Sequence, residues 1–385
     1  MTPQTTPSRP AAPDPAAGVR ALEGTPPARF ARGWHCLGPV GEFRDGEPHE
    51  VPAFGTRLAV FQGQEDGRLH VLDAFCRHMG GNLARGTVKG DALACPFHDW
   101  RWGGDGRCAG IPYARRVPAR ARTRAWPAVE VNGLLLVWHD PEGAAPPPEL
   151  AVPEIEGVFG EQWSPWTWEG LLIEGAHCRE VVDNIVDMAH FFYVHHSVPT
   201  RFTNVFEGHV ASMYIESTPR RDSGVELIGA DLSLRSDAAY YGPSYMVDRI
   251  WQPLGDGTES ESVLVNCHYP VSPTSFRLMW GVKVRALPGT TPAQAAEAAA
   301  RTSEGMRVAF EQDIEIWRHK SYVDNPLLSD ADGPLYQLRR WYQQFYVDAA
   351  EVTESMVRRF EFEVDTAPAG AHWEREMDAN LAAGA

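Results

Sequence analysis

The chain has 385 residues, 43% of them hydrophobic, enough for two domains that each bury a core. Its formal net charge of −16 repels phosphate backbones and argues against nucleic acid as a partner. No apolar run reaches the roughly 18 residues that a membrane span requires, so no membrane span is expected.

In chain order, residues 1–28 are rich in Pro, Ala and Thr without apolar periodicity, and read as a disordered leader. They show neither the basic n-region nor the apolar h-region of a signal peptide, which makes the cytoplasm the expected compartment. Six cysteines in that compartment point to metal ligation or burial before disulfides. Across residues 29–141, short apolar runs (RLAVFQ, LHVLDAF, ALACPF, LLLVWHD) alternate with Gly/Asp turns, which predicts a small antiparallel all-β domain. A proline-rich connector, PEGAAPPPELAVPE, follows. Residues 142–385 mix strand patterns (SVLVNCHYPV, FRLMWGVKV) with helical ones (CREVVDNIVDMAHFFYVHH, AQAAEAAARTSEGMRVAFEQDIEIWRHK). Because these do not alternate regularly, the expected class is α+β rather than a doubly wound parallel sheet. Within residues 101–124 seven arginines (Arg101, Arg107, Arg115, Arg116, Arg120, Arg122, Arg124) face one acid, Asp105. This is either a solvated loop surface or a docking patch for an acidic partner.

The segment CRHMGGNLARGTVKGDALACPFHDW places Cys76 and His78 one residue apart, and Cys95 and His98 two apart. Two thiolates and two imidazoles from two loops suit tetrahedral zinc. They also suit a Rieske 2Fe-2S centre, in which two cysteines hold one iron and two histidines the other, each loop giving one of each. Gly80, Gly81 and Pro96 favour tight loops aimed at sulfur, and Phe97, Trp100 and Trp102 are expected to keep such a centre partly dry. Cys36, Cys108, Cys178 and Cys267 lack comparable partners and read as buried thiols.

A second group, DNIVDMAHFFYVHH, holds Asp183, Asn184, Asp187, His190, His195 and His196 on a predicted helix. On an ideal helix His190 and His195 point about 140° apart, so joint ligation of one metal requires the helix to end or bulge between them. The alternative is two histidines satisfied by hydrogen bonds in an aromatic cluster. A 2-His-1-carboxylate site needs an acid. Asp313 falls within about 60° of Met306, Ala309, Phe310 and Trp317 on a helical wheel, inside the apolar stripe, while Glu311 and Glu315 point outward. An unpaired buried carboxylate is costly, and a metal would remove that cost. Asp187, one turn before His190, is expected to accept that ring's other N–H and to link the two centres; a structural salt bridge is its alternative. Phe310 and Trp317 are candidate walls for an apolar substrate and Asn266 a candidate contact for its polar end, with plain core packing as the alternative for each.

Together these residues resemble a Rieske non-haem iron oxygenase. The strings CRHMGGNL, CPFHDWRW, VVDNIVDMAHFFYVH, NVFEGHVAS, NCHYPVS, EQDIEIW and DGPLYQLRRWYQQFYVD resemble, within it, the oxygenase components of 3-ketosteroid 9α-hydroxylases. The resemblance implies a Rieske domain followed by a helix-grip catalytic domain with an antiparallel sheet. It implies a 2Fe-2S cluster on Cys76, His78, Cys95 and His98, one mononuclear Fe(II) on His190, His195 and Asp313, dioxygen as co-substrate, and Asp187 as the bridge. It further implies a head-to-tail homotrimer, an NADH-dependent flavin and 2Fe-2S reductase as partner, and 9α-hydroxylation of a 3-ketosteroid. O- or N-demethylation, or hydroxylation of another hydrophobic substrate, is the alternative on the same iron.

Overall fold

The computed structural model describes residues 24–223, 233–254 and 257–384. The expected leader lies outside the described residues up to residue 23, and residues 24–28 form no regular element.

The first part is all β. A three-stranded sheet joins β1 (Gly33–Pro39), β11 (Leu134–His139) and β10 (Ala128–Val131), and a four-stranded sheet joins β2 (His49–Ala53), β3 (Thr56–Gln62), β4 (Leu69–Asp73) and β9 (Ala125–Trp126). A smaller sheet of β5 (Thr87–Lys89), β6 (Ala92–Ala94), β7 (Arg101–Gly103) and β8 (Cys108–Gly110) carries the Cys95–His98 loop between β6 and β7, while the Cys76–His78 loop runs into it from β4.

The second part is built on one eight-stranded antiparallel sheet: β12 (Thr167–Glu174), β18 (Ser275–Val284), β17 (Glu259–Ser272), β16 (Tyr245–Pro253), β15 (Leu234–Tyr241), β14 (Val210–Pro219), β13 (Ser197–Glu207) and β19 (Phe360–Glu363). Its central strands read as long apolar runs because both faces are covered. Val263, Val265 and Cys267 of β17 pack on Trp34, Leu136 and Trp138 of the β domain, whereas Leu264 packs on the other side with Trp280 and Phe310.

The helices are α1 (Arg179–Asp183), α2 (Met188–Tyr193), α3 (Pro292–His319), α4 (Leu335–Gln343), α5 (Glu354–Val357) and α6 (Ala367–Ala383). α3 starts at a capping box in which the Thr291 hydroxyl accepts from the Gln294 amide and the Gln294 side chain accepts from that of Thr291, with Pro292 at the first helical position. It lies across β12 and β18, burying Ala299, Phe310, Ile314 and Trp317. Burial of each large side chain there contributes about 1.5–3 kcal/mol.

The expected helix over residues 178–196 is instead three short pieces. α1 gives way to a 3-10 turn at Asn184–Val186, and Asp187 leaves helical geometry with φ −93° and ψ 89° before α2 begins. The backbone of Gly333 packs directly on this break: a Cβ there would lie 1.9 Å from the Val186 carbonyl oxygen. The Asn204 amide donates to the Ile185 carbonyl at 2.8 Å, and Arg339 of α4 pairs with Asp183 at 2.7 Å.

Candidate metal centres and their relatives

The first group lies at the ends of two hairpin-like loops. The Cys76 amide donates to the Gly81 carbonyl and the Gly80 amide to the Cys76 carbonyl, both at 2.8 Å, while the Cys95 amide donates to Trp100 and the Asp99 amide to Cys95, both at 2.9 Å. Gly80 (φ +77°) makes the first turn, and a Cβ on Gly81 would stand 2.7 Å from Cys95 Sγ. Only glycine lets the backbone approach the sulfur this closely. Cys76 and Cys95 are buried. Burial pushes the Cys76 thiol up, and Cys95 beside it adds to the shift, so a metal that takes both as thiolates removes an unfavourable pair. Trp102, fully buried, donates its indole N–H to Cys76 Sγ at 3.3 Å.

The imidazoles of His78 and His98 are half-buried, with ring centres 4.8 Å apart. His98 Nδ1 is buried with no protein partner, an open donor position beside a second imidazole. These residues fit a cluster held by sulfur on the inner side and nitrogen on the outer. Trp100 stacks on His78 at 4.5 Å. Phe97, expected to keep the site dry, is instead 58% exposed and lies over the His98 ring, because the turn after Pro96 points it outward. Of the remaining cysteines, Cys36, Cys178 and Cys267 are buried, but Cys108 is half-buried at a strand edge.

The second group converges from α2, the residues after it, and α3. His190, His195 and Asp313 each offer a ligand atom within 4.8 Å of the other two. The helix ends between the histidines, as their spacing required: the amides of Val194 (2.7 Å) and His195 (3.4 Å) both donate to the His190 carbonyl. That widened last turn swings His195 back toward His190. The following residue, His196, has φ +54° and precedes β13; it is not part of the three-residue group. Asp313 is 7% exposed, whereas Glu311 and Glu315 are exposed, in line with the helical wheel.

Each histidine has its tautomer set by the nitrogen that faces away from the group. His190 Nδ1 donates to the main-chain carbonyl of Asp187. His195 Nδ1 donates to Gln312 Oε1 at 3.2 Å, leaving Nε2 3.4 Å from Asp313 Oδ1. An amide oxygen only accepts, so the proton sits on Nδ1 and the Nε2 lone pair is free for a metal. Burial lowers the affinity of His190 for a proton, with Asp187 opposing and His195 adding to the shift. Burial also acts on His195, but the hydrogen bond and charge of Asp313 outweigh it and its pKa is raised. A divalent cation at this point takes the place of that proton.

Asp187 corrects one expectation. Its carboxylate does not take the His190 ring N–H, from which it stands 3.9 Å; it accepts from the His190 amide at 3.2 Å and caps α2. The side chain is 54% exposed and remains open toward solvent. Gln312 escaped the sequence reading, because a polar residue beside a candidate ligand carries no periodic signal.

The candidate substrate residues lie in the layer between α3 and the sheet. Phe310 packs on Trp280 at 4.9 Å, Trp317 faces Phe276 at 6.5 Å, and Asn266, opposite Trp280 across the strand pair, has its Oδ1 buried without a partner.

Comparison with known proteins identifies both parts of the chain. Residues 33–121 match the Rieske 2Fe-2S domain, and residues 137–346 match the 3-ketosteroid 9alpha-hydroxylase C-terminal domain. A probable 3-ketosteroid-9-alpha-monooxygenase oxygenase component of Rhodococcus rhodochrous is 58% identical over 370 residues, covering 95% of this chain and 92% of that protein. The 3-ketosteroid-9-alpha-monooxygenase oxygenase component of Mycobacterium tuberculosis (strain ATCC 25618 / H37Rv) is 51% identical, covering 94% of each. The crystal structure of dicamba monooxygenase bound to 3,6-dichlorosalicylic acid shares the fold, with a TM-score of 0.67 at 18% identity over 85% of this chain and all of that one. The chain belongs to the Rieske non-haem iron oxygenases, in the family of 3-ketosteroid 9α-monooxygenase oxygenase components.

Proposed function

We propose that this chain is the terminal oxygenase that hydroxylates a 3-ketosteroid at C9, on the α face. The observation that carries the reading is the 58% identity to an oxygenase component of that activity, extending over 95% of the chain. The reading assigns electron receipt to residues 29–141, with a 2Fe-2S cluster on Cys76, His78, Cys95 and His98. It assigns catalysis to residues 142–385, with Fe(II) on His190, His195 and Asp313. Fe(II) in a 2-His-1-carboxylate site supplies the binding and activation of dioxygen that an unactivated C–H bond requires. One oxygen atom enters the substrate and the other leaves as water, which consumes two electrons and two protons.

The protein's own part is positional. The Asp187 carbonyl and Gln312 hold the two imidazoles with Nε2 inward, and Asp313 supplies the single negative charge. Phe310 and Trp317 offer apolar walls that exclude water, and the unpartnered Asn266 Oδ1 offers a polar contact. The exposed Asp187 carboxylate, one turn from His190, suits a bridge to a cluster histidine of a neighbouring copy, consistent with a head-to-tail trimer. The oxygenase-component family uses a separate reductase. Here the reading is an NADH-dependent flavin and 2Fe-2S protein, with both partners in the cytoplasm. Among the described residues no helix is long and apolar enough to cross a membrane.

The test is turnover of a 3-ketosteroid with NADH, a reductase and oxygen-18 gas, read by mass spectrometry. A single labelled hydroxyl at C9 is expected. Released formaldehyde identifies a demethylase instead, and NADH oxidation without steroid product moves the substrate elsewhere.

A further inference from the structure

We propose that the arginine-rich segment 107–124 docks an acidic face of the reductase, and that Tyr113 within it and the adjoining Trp100 lead electrons to His78. The inference rests on the function proposed above and adds the surface and the path.

The segment forms one ledge. After β8 the chain leaves the hairpin and returns at Ala121, whose carbonyl accepts from the Cys108 amide at 3.0 Å, and Arg107 bridges to Arg122 across the return. Residues 112–120 are all exposed, as are Arg107, Arg122 and Arg124. Arg101 is answered by Asp99 and Arg107 by Asp105. Arg115, Arg116, Arg120 and Arg122 have no acidic partner among the described residues. Four uncompensated guanidinium groups on a chain of net charge −16 make a local field of opposite sign to the rest of the molecule. Structural ion pairing does not use them, whereas an acidic surface would find five N–H donors on each.

The ledge also touches the cluster site. Tyr113, 64% exposed and two residues before Arg115, accepts the Trp100 indole N–H at 2.8 Å. Trp100 in turn lies flat on His78, with ring centres 4.5 Å apart and planes 9° apart. Two contacts therefore connect the cationic surface with a ligand ring. The other imidazole, His98, presents a different face, covered by the uncharged Phe97. Electrons received at His78 leave His98 for onward transfer. In each encounter the partner's reduced one-electron centre is oxidised by one electron and the cluster is reduced by one; no bond or proton changes on the path. Two encounters supply one dioxygen.

The test uses the full-length holoprotein and the purified reductase partner of the Rhodococcus rhodochrous oxygenase component. Association is followed by surface plasmon resonance at several salt concentrations, and cluster reduction by stopped-flow absorbance. Arg115→Glu with Arg116→Glu is expected to slow association about 10-fold or more at low salt and to flatten its salt dependence. Reduction of the same variant by dithionite is expected to be unchanged. A control, Arg221→Glu with Arg301→Glu, changes the net charge equally and is expected to leave association within about twofold. Tyr113→Leu is expected to lose reduction rate at saturating reductase without losing association. Unchanged association of the Arg115/Arg116 variant, an equal effect of the control, or a changed oligomeric mass that marks the ledge as a contact between copies would each overturn the proposal. Missing Rieske absorption would refute the proposed function instead, while association would still decide the docking.

Discussion

The proposed cluster site draws its four candidate ligands from residues 76–98, on two neighbouring loops, whereas the proposed iron site joins His190 and His195 to Asp313 from a helix more than a hundred residues later. In the first, each loop closes on itself through Cys76–Gly81 and Cys95–Trp100 hydrogen bonds, so local backbone geometry forms the site. In the second, the last turn of α2 brings only the two histidines together, and Asp313 arrives from α3. The broken α1–α2 segment, the sheet and α3 must all pack before His195 and Asp313 come to 3.4 Å. A site of the first kind depends on glycines and turns, and one of the second kind on the whole core of its domain.

The largest expected effect tests whether the two sites are separable. Asp313→Ala should abolish turnover and mononuclear iron while leaving the cluster spectrum intact; an active, iron-replete variant would refute the ligand assignment. Asp187→Asn should retain both metals, yet stop electron delivery between centres. Normal coupled turnover in that variant would reduce Asp187 to the helix cap seen in its bond to the His190 amide. A finer probe uses the asymmetry between the two histidines. His190 is oriented by a main-chain carbonyl that no substitution removes, and His195 by a side chain. Gln312→Leu should weaken iron binding roughly 10- to 100-fold, measured by Fe(II) titration of the metal-free protein, whereas Gln312→Glu, which keeps an acceptor, should restore it. Equal affinities in all three proteins would show that α3 packing alone orients His195.

The smallest effect on function concerns the catalytic sheet. Asp248 on β16 is buried, which pushes its pKa up to about 7, with the Ser236 hydroxyl opposing at 2.6 Å. Between the usual carboxylate range and about pH 7 the folded protein keeps a proton that the unfolded chain has released. Stability is therefore lost as pH rises through that window, by on the order of a few kcal/mol. Asp248→Asn should remove the loss, so its urea midpoint should exceed that of the natural protein at pH 8 by more than at pH 4. A pH-independent difference would mean that Asp248 is ionised in the fold.

Much of this was readable because the strongest signals are short. Cys-x-His and Cys-x-x-His with glycine beside them need only local turns, and the strands RLAVFQ and FRLMWGVKV appear as β3 and β18. The longest helix among the described residues, α3, also follows its pattern, and its wheel separates Asp313 from Glu311 and Glu315 because period 3.6 decides which face is buried. The helix over residues 178–196 misled, since its apolar spacing continues through Asp187 while the chain does not. Gly333, far along the sequence, occupies the space at Val186, and the Asp187 carboxylate finds a capping role there.

The amino-acid sequence by itself determined the candidate donor atoms, the order of a β domain before an α+β domain, and the buried face of α3. These follow from residue type and periodicity, which act over a few neighbours. Only the tertiary structure decided that His195 turns back beside His190, that Gln312 orients it, that Phe97 faces water while Trp102 faces sulfur, and that the Arg115–Arg122 ledge meets Trp100 through Tyr113. The Gln312, Trp102 and Tyr113 contacts each join segments whose meeting depends on how the sheets pack, and packing is a property of the whole core.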